Sequence, residues 1–140
     1  MKYDISVIGG GIVGLASAYK LQLNYPKLNI IVIEKEKELA FHQTGRNSGV
    51  IHSGLYYKPG SFRANNCVEG RKQLVDFAVK YNIDHDVCGK IVLATNKIEQ
   101  DRLPLLKENG EKNRLKGLEI IDMKKVKLIE PFAEGVEALW

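Results

Sequence analysis

Three glycines, Gly9, Gly11 and Gly14, stand in the spacing G-x-G-x-x-G, and an acid, Glu34, follows in the same stretch. That set of residue types can bind a dinucleotide. The first glycine permits a tight turn, the second lets a pyrophosphate approach the backbone where a Cβ would collide, and the third lets a helix pack closely on a strand. The acid accepts hydrogen bonds from ribose hydroxyls and prefers a free 2′-OH, so FAD or NAD fits better than NADP. These residues do not by themselves separate FAD from NAD.

The elements needed to position these residues are present in the right order. Ile5, Val7 and Ile8 read as a short apolar strand leading into the glycine turn. From Ile12, apolar residues recur at Val13, Leu15, Ala16, Ala18, Tyr19, Leu21 and Leu23, near helical spacing. The start of that helix, at Ile12 and Val13, offers free N–H groups and a positive dipole end to phosphates. Tyr25-Pro26 stops the helix, and Ile30–Ile33 is a continuous β-branched run suited to a buried parallel strand. Strand, glycine turn, helix, second strand and terminal acid together supply the context that makes the motif specific. A glycine-rich turn in an unrelated α/β protein is the competing reading.

A second cluster runs from Ala40 to Ser61, AFHQTGRNSGVIHSGLYYKPGS. Gly45, Gly49 and Gly54 allow close backbone approach to a ligand, and Thr44, Arg46, Asn47 and Ser48 can hydrogen-bond phosphate or polyol groups. A surface loop of turn residues is the plain alternative.

Further along, Ser61 reads as the N-cap of a helix whose broad apolar face carries Phe62, Ala64, Cys67, Leu74, Phe77, Ala78 and Tyr81. Gly70 weakens its centre and marks a close contact. Lys90–Thr95 reads as a strand, Asn96 caps a helix that runs to about Asn109 with Pro104 kinking it or starting its second half, and Gly110 ends it. Leu118–Ile121 reads as another strand, Asp122 caps a short helix, and Glu130-Pro131 is a turn. The segment Phe132–Trp140 is apolar with no terminal helix.

The chain has 140 residues and a formal charge of +4, with its lysines interleaved with acids. Mixed-sign runs read as a solvated surface, and no basic stripe with interleaved aromatics points to nucleic acid. No apolar run approaches the ~20 residues of a membrane span, and no signal peptide is evident. Cys67 and Cys88 do not make a disulfide framework. Reduced, part-buried thiols in a cytosolic setting are expected, and neither has a partner at metal-ligand spacing.

GGGIVGLASAYKL, VIEKE and HQTGRNSGVIHSGLYYKPGS together resemble the N-terminal part of the L-2-hydroxyglutarate oxidase or dehydrogenase family. This is a branch of the FAD-dependent D-amino-acid-oxidase-like superfamily that also holds glycine oxidase and glycerol-3-phosphate dehydrogenase. The HQTGRNSGVIHSG segment is the specific part of the likeness, which extends through GKIVLAT and the Glu130-Pro131 region. The resemblance implies a Rossmann-like α/β, three-layer FAD-binding sandwich of the glutathione-reductase-2 type, with residues 1–140 an incomplete portion of that domain. The whole protein is then expected to be about two to three times longer.

The resemblance further implies FAD as the dinucleotide and oxidation of L-2-hydroxyglutarate to 2-oxoglutarate, with hydride passing to flavin N5 and electrons then to oxygen or a quinone. It implies a cytoplasmic enzyme, or one loosely held at the inner membrane. By position, Gly9, Gly11, Ile12, Val13 and Gly14 would serve the pyrophosphate, Glu34 the ribose, and Lys35 would lie near the adenosine. Thr44, Arg46, Asn47, Ser48 and Gly49 would follow the pyrophosphate and ribityl chain. His52 is the candidate for the base that takes the hydroxyl proton or for a flavin-facing donor, with a structural histidine as the alternative. His42 reads as a cofactor-loop hydrogen-bonder, His85 as surface, Arg63 as a solvated helix arginine, and at least one of Tyr56 and Tyr57 as core. An amine or amino-acid oxidase of the glycine oxidase type, and a non-catalytic dinucleotide-binding fragment, are the competing functions.

Overall fold

Ile5–Ile8 form β1 and Ile30–Ile33 form β2, parallel neighbours in the register Ile5↔Ile30 to Ile8↔Ile33. Between them α1 spans Ile12–Asn24. It ends where Tyr25 donates its N–H to the Leu21 carbonyl, one residue before a proline that cannot continue the ladder. Gln22 Nε2 then donates to the carbonyls of Pro26 (3.2 Å) and Leu28 (3.3 Å), closing the turn into β2. The computed structural model describes residues 2–140 and divides into two compact units, one up to Val50 and one from Ile51.

The second unit is built differently. α2 (Phe62–Lys80) is followed by β3 (Val92–Ala94), α3 (Lys97–Gln100), α4 (Leu103–Lys112), β4 (Ile120–Asp122), α5 (Met123–Ile129) and β5 (Glu137–Leu139). The strands form a separate antiparallel sheet in the order β3-β5-β4, with Ala138 opposite both Leu93 and Ile121. Three helices start on side-chain caps: Ser61 accepts from the Ala64 N–H, Asn96 from Glu99 and Asp122 from Lys125. Each satisfies one of the otherwise unpaired donors of a first turn. Leu55, Ala94, Leu103, Leu115 and Leu139 make one buried cluster, and Ile121, Val126 and Ala138 another.

The strands expected at Lys90–Thr95 and Leu118–Ile121 are β3 and β4 of this antiparallel sheet, and the segment Phe132–Trp140 contributes its central strand. Several expectations are corrected. Gly110 lies inside α4, which runs on to Lys112. An added Cβ there would sit 2.5 Å from Leu118 Cδ1 and 2.8 Å from Leu55 Cδ1, so this glycine serves packing. Gly70 faces open space. Phe62 and Leu74 are exposed, because α2 buries only Ala64 and Ala78 fully. Tyr56 and Tyr57 are both exposed, and Lys90 Nζ lies 4.4 Å from the Tyr56 ring centroid. Cys88 is exposed, while Cys67 is half-buried. Among the described residues no helix is long and apolar enough to cross a membrane.

Candidate functional site: the glycine turn and its covering loop

β1 delivers the chain into the turn at Gly9, whose φ of +103° is left-handed backbone that a side chain disfavours. Gly9 N–H donates to the Ile33 carbonyl at 2.8 Å, tying the turn to the end of β2. A Cβ on Gly14 would collide with the Gly9 carbonyl and touch Val7 Cγ1, so this glycine lets α1 sit against the strand end. A Cβ on Gly9 would meet nothing within 4 Å, and one on Gly11 would meet only Thr44 Oγ1 at 3.3 Å. The face over Gly9 is therefore open, and the one over Gly11 is approached closely by Thr44 Oγ1.

Glu34 follows β2 directly and turns back onto the turn. Its Oε2 accepts from the Gly10 N–H at 2.6 Å and its Oε1 from the Glu36 N–H at 3.0 Å. These two backbone donors, Glu36 first and Gly10 second, hold the carboxyl below the usual carboxylate range. Gly10 is buried, and its carbonyl accepts from the Ala40 N–H at 3.0 Å. A Cβ here would lie 2.6 Å from Leu39 Cδ2. Gly10 thus anchors the segment after β2 through both backbone groups. Gly10 occupies a variable position of the fingerprint, and its place in the middle of three consecutive glycines was the available signal.

The following loop reaches back to the helix. Thr44 Oγ1 accepts from the Ile12 N–H at 3.0 Å, which caps α1 from a distant segment since Gly11 has no side chain to do so. Val13 is 77% exposed at the same helix start. Asn47 shapes the loop: its Oδ1 accepts from the Gly49 N–H (2.7 Å) and its Nδ2 donates to the carbonyls of Gln43 and Thr44. Gly49 takes a φ of +67°. Gly45 is needed because a Cβ would fall 2.5 Å from the Ala40 carbonyl, so the close approach there is to the chain itself. The Arg46 guanidinium lies 4.7 Å from the Phe41 ring centroid. His42 Nε2 meets Glu36 Oε1 at 2.8 Å, and this contact holds the Glu36 carboxyl below its ordinary range. Lys35 Nζ lies 3.5 Å from the same oxygen and is exposed, as is Ser48.

The first unit therefore contains Gly9, Gly11, Ile12, Val13, Gly14, Glu34, Lys35, Thr44, Arg46, Asn47, Ser48 and Gly49. The turn, Glu34 and Thr44 are joined by hydrogen bonds, and Arg46 and Asn47 lie on the same loop as Thr44. An open glycine face beside a helix N-terminus fits a pyrophosphate, and the Glu34 carboxylate, held ionised, fits hydroxyl donors. His52 lies in the second unit, with an exposed side chain and a carbonyl that accepts from Cys67 Sγ at 3.2 Å. His85 and Arg63 are exposed. Among the described residues no group of His, Cys, Asp and Glu could hold a metal ion.

Comparison with known proteins separates FAD from NAD. The family described as FAD dependent oxidoreductase matches residues 4–140. An L-2-hydroxyglutarate dehydrogenase of Indibacter alkaliphilus is 48% identical over 139 residues, covering 99% of this chain and 35% of that protein. The mitochondrial L-2-hydroxyglutarate dehydrogenase of Homo sapiens is 48% identical over 137 residues, covering 98% of this chain and 30% of that protein. The mitochondrial protein of that name from Caenorhabditis elegans is 45% identical, with 99% and 32% covered. The chain spans about a third of the length of these curated relatives. With a strand–turn–helix–strand unit that fits a Rossmann-like α/β fold, the chain belongs to the FAD dependent oxidoreductase family.

Proposed function

We propose that this chain is the dinucleotide-binding portion of an enzyme that oxidises L-2-hydroxyglutarate to 2-oxoglutarate. The observation that carries the reading is the 45–48% identity, across nearly all of the chain, to proteins named for that dehydrogenase activity. In this reading the full protein has a three-layer FAD-binding sandwich of which these residues are an incomplete part.

FAD, when bound, supplies the acceptor for the hydride from substrate C2. The chain's own residues bind and orient it. The backbone over Gly9, Gly11 and Gly14 and the N–H groups at Ile12 and Val13 receive the pyrophosphate, the Ile12 donor being shared with Thr44 Oγ1. Glu34 accepts from the ribose hydroxyls and Lys35 lies toward the adenosine. Thr44, Arg46, Asn47, Ser48 and Gly49 follow the pyrophosphate and ribityl chain. An imidazole nitrogen of His52 takes the C2 hydroxyl proton. Electrons leave to oxygen or a quinone, from an enzyme that is cytoplasmic or held at the periphery of a membrane.

A second reading is favoured by the exposed apolar residues of the first unit, Ile8 at 86% and Val13 at 77%. In it these residues alone hold at most the ADP half of FAD and are catalytically silent. The absorption spectrum of the full-length parent protein, before and after anaerobic addition of L-2-hydroxyglutarate, tests both. Flavin bands that bleach with this substrate support the enzyme. Bands that persist with it but bleach with glycine or sarcosine move the protein to an amine-oxidase activity. Flavin in the parent and none in this chain establishes the second reading for the piece. His52→Ala is expected to lower turnover much more than flavin content; equal losses of the two would make His52 a cofactor-loop residue.

A further inference from the structure

Two asparagines outside the dinucleotide site are directed at one short turn. Asn109 and Asn113 lie one helical turn apart at the end of α4, on the same face. Asn109 Nδ2 donates to the carbonyls of Leu55 (2.5 Å) and Tyr57 (3.1 Å). Asn113 Nδ2 donates to those of Gly54 (3.1 Å) and Tyr57 (2.8 Å). Gly110, between them, leaves room for Leu55, which is 4% exposed. The turn closes on itself through Tyr57 N–H to the Gly54 carbonyl at 3.3 Å, and Gly54 holds a φ of +90°. On the other side, Cys67 Sγ donates to the His52 carbonyl. The backbone of His52–Tyr57 is therefore held from α2 and from α4, while the side chains of His52, Tyr56 and Tyr57 stay exposed.

Asn113 is 5% exposed, and its Oδ1 is buried with no partner among the described residues. Leaving a buried acceptor unpaired is destabilising. An apolar side chain of the same shape would avoid that cost and lose both donors. The amide thus has its donor end engaged and its acceptor end unmet, which is the pattern of a group whose role lies in the turn it grips.

We propose that Asn109 and Asn113 are positioning residues, which clamp the 54–57 turn so that His52, Tyr56 and Tyr57 are presented in one fixed arrangement to a substrate. The catalytic part of this inference rests on the proposed hydroxy-acid oxidation. The test uses the full-length flavin-loaded protein with Asn113→Leu and, since a buried change can impair folding, the half-buried Asn109→Ala as a second variant. Amide hydrogen exchange in a peptide spanning residues 52–57 should quicken about tenfold or more, with the α1 and β1 peptides unchanged. The rate of flavin reduction by L-2-hydroxyglutarate should fall about tenfold or more, with KM and bound flavin changing less than about twofold. Unchanged exchange at 52–57 overturns the clamp, and so does quickened exchange with undiminished flavin reduction. A wild-type parent whose flavin is not reduced by this substrate overturns the substrate reading alone, and the clamp is then decided by the exchange measurement.

Discussion

The two units solve the same problem with opposite means. In the unit from Ile51, aliphatic side chains from a loop, helices and strands converge, and Val126, Leu139 and Ala138 are at most 1% exposed. In the unit up to Val50, Gly10 is the only fully buried residue among those described, and Ile8, Val13, Leu23 and Ile33 are all about half exposed or more. What organises that unit is polar: the Glu34 carboxylate on Gly10, the Thr44 hydroxyl on Ile12, the Asn47 amide within its own loop. The lesson is about what each region is for. A packed interior holds shape through burial, at about 25 cal/mol per Å² of apolar area. The glycine turn of the first unit keeps backbone exposed and is braced by directional bonds from the side, as the proposed pyrophosphate site would require.

That contrast can be broken most sharply in the cores. Leu139→Ala should cost about 2–5 kcal/mol by cavity formation, whereas Ile8→Ala in the same chain should stay within about 0.5 kcal/mol. Urea denaturation of the two variants compares them directly, and a large loss at Ile8 would show that the face of the parallel pair is covered in solution. Gly11→Ala comes next. Its added Cβ meets only Thr44 Oγ1, which must give way slightly, so the ligand-free chain should lose less stability than with Leu139→Ala. FAD affinity of the full-length parent should fall about tenfold or more, since the methyl group occupies the pyrophosphate's approach. Retained flavin through gel filtration would argue against that placement.

Smaller effects probe the braces. Thr44→Val removes the acceptor of the Ile12 N–H and should cost about 0.5–1.5 kcal/mol, seen as faster amide exchange at the start of α1. The Glu34 brace should be pH-dependent. Its folded pKa lies below the ordinary value of 4.5, so it contributes fully above that value and is lost only as pH falls through the lower folded one. Glu34→Gln should remove this dependence, and acid titration of the carboxyl by NMR would follow it. A Glu34 that titrates at or above 4.5 would mean that its two N–H bonds are absent in solution.

Local signals were readable in the sequence wherever a few adjacent residues sufficed. The β-branched run of β2, the caps at Ser61, Asn96 and Asp122, the proline near the start of α4 and the glycine fingerprint all act within a turn or so of chain. Hence they leave a signal in residue types at short spacing. β5 was not legible, because Glu137–Leu139 is too short to show alternation and is made a strand by pairing with β3 and β4 on either side. Gly110 looked like a helix end for a related reason: only the approach of Leu55 and Leu118 reveals why a glycine sits inside α4.

By itself the sequence determined the βαβ unit, the glycine fingerprint of its turn and the branch of flavoproteins that the chain resembles. All three reside in residue types at short spacing. Only the tertiary structure decided what braces the turn. Gly10 meets Glu34 across 24 residues, Ile12 meets Thr44 across 32, and Gly54 meets Asn113 across 59. A hydrogen bond is set by angstrom-scale geometry between partners whose separation along the chain carries no periodic signal, so such pairs become visible only once the chain has folded them together.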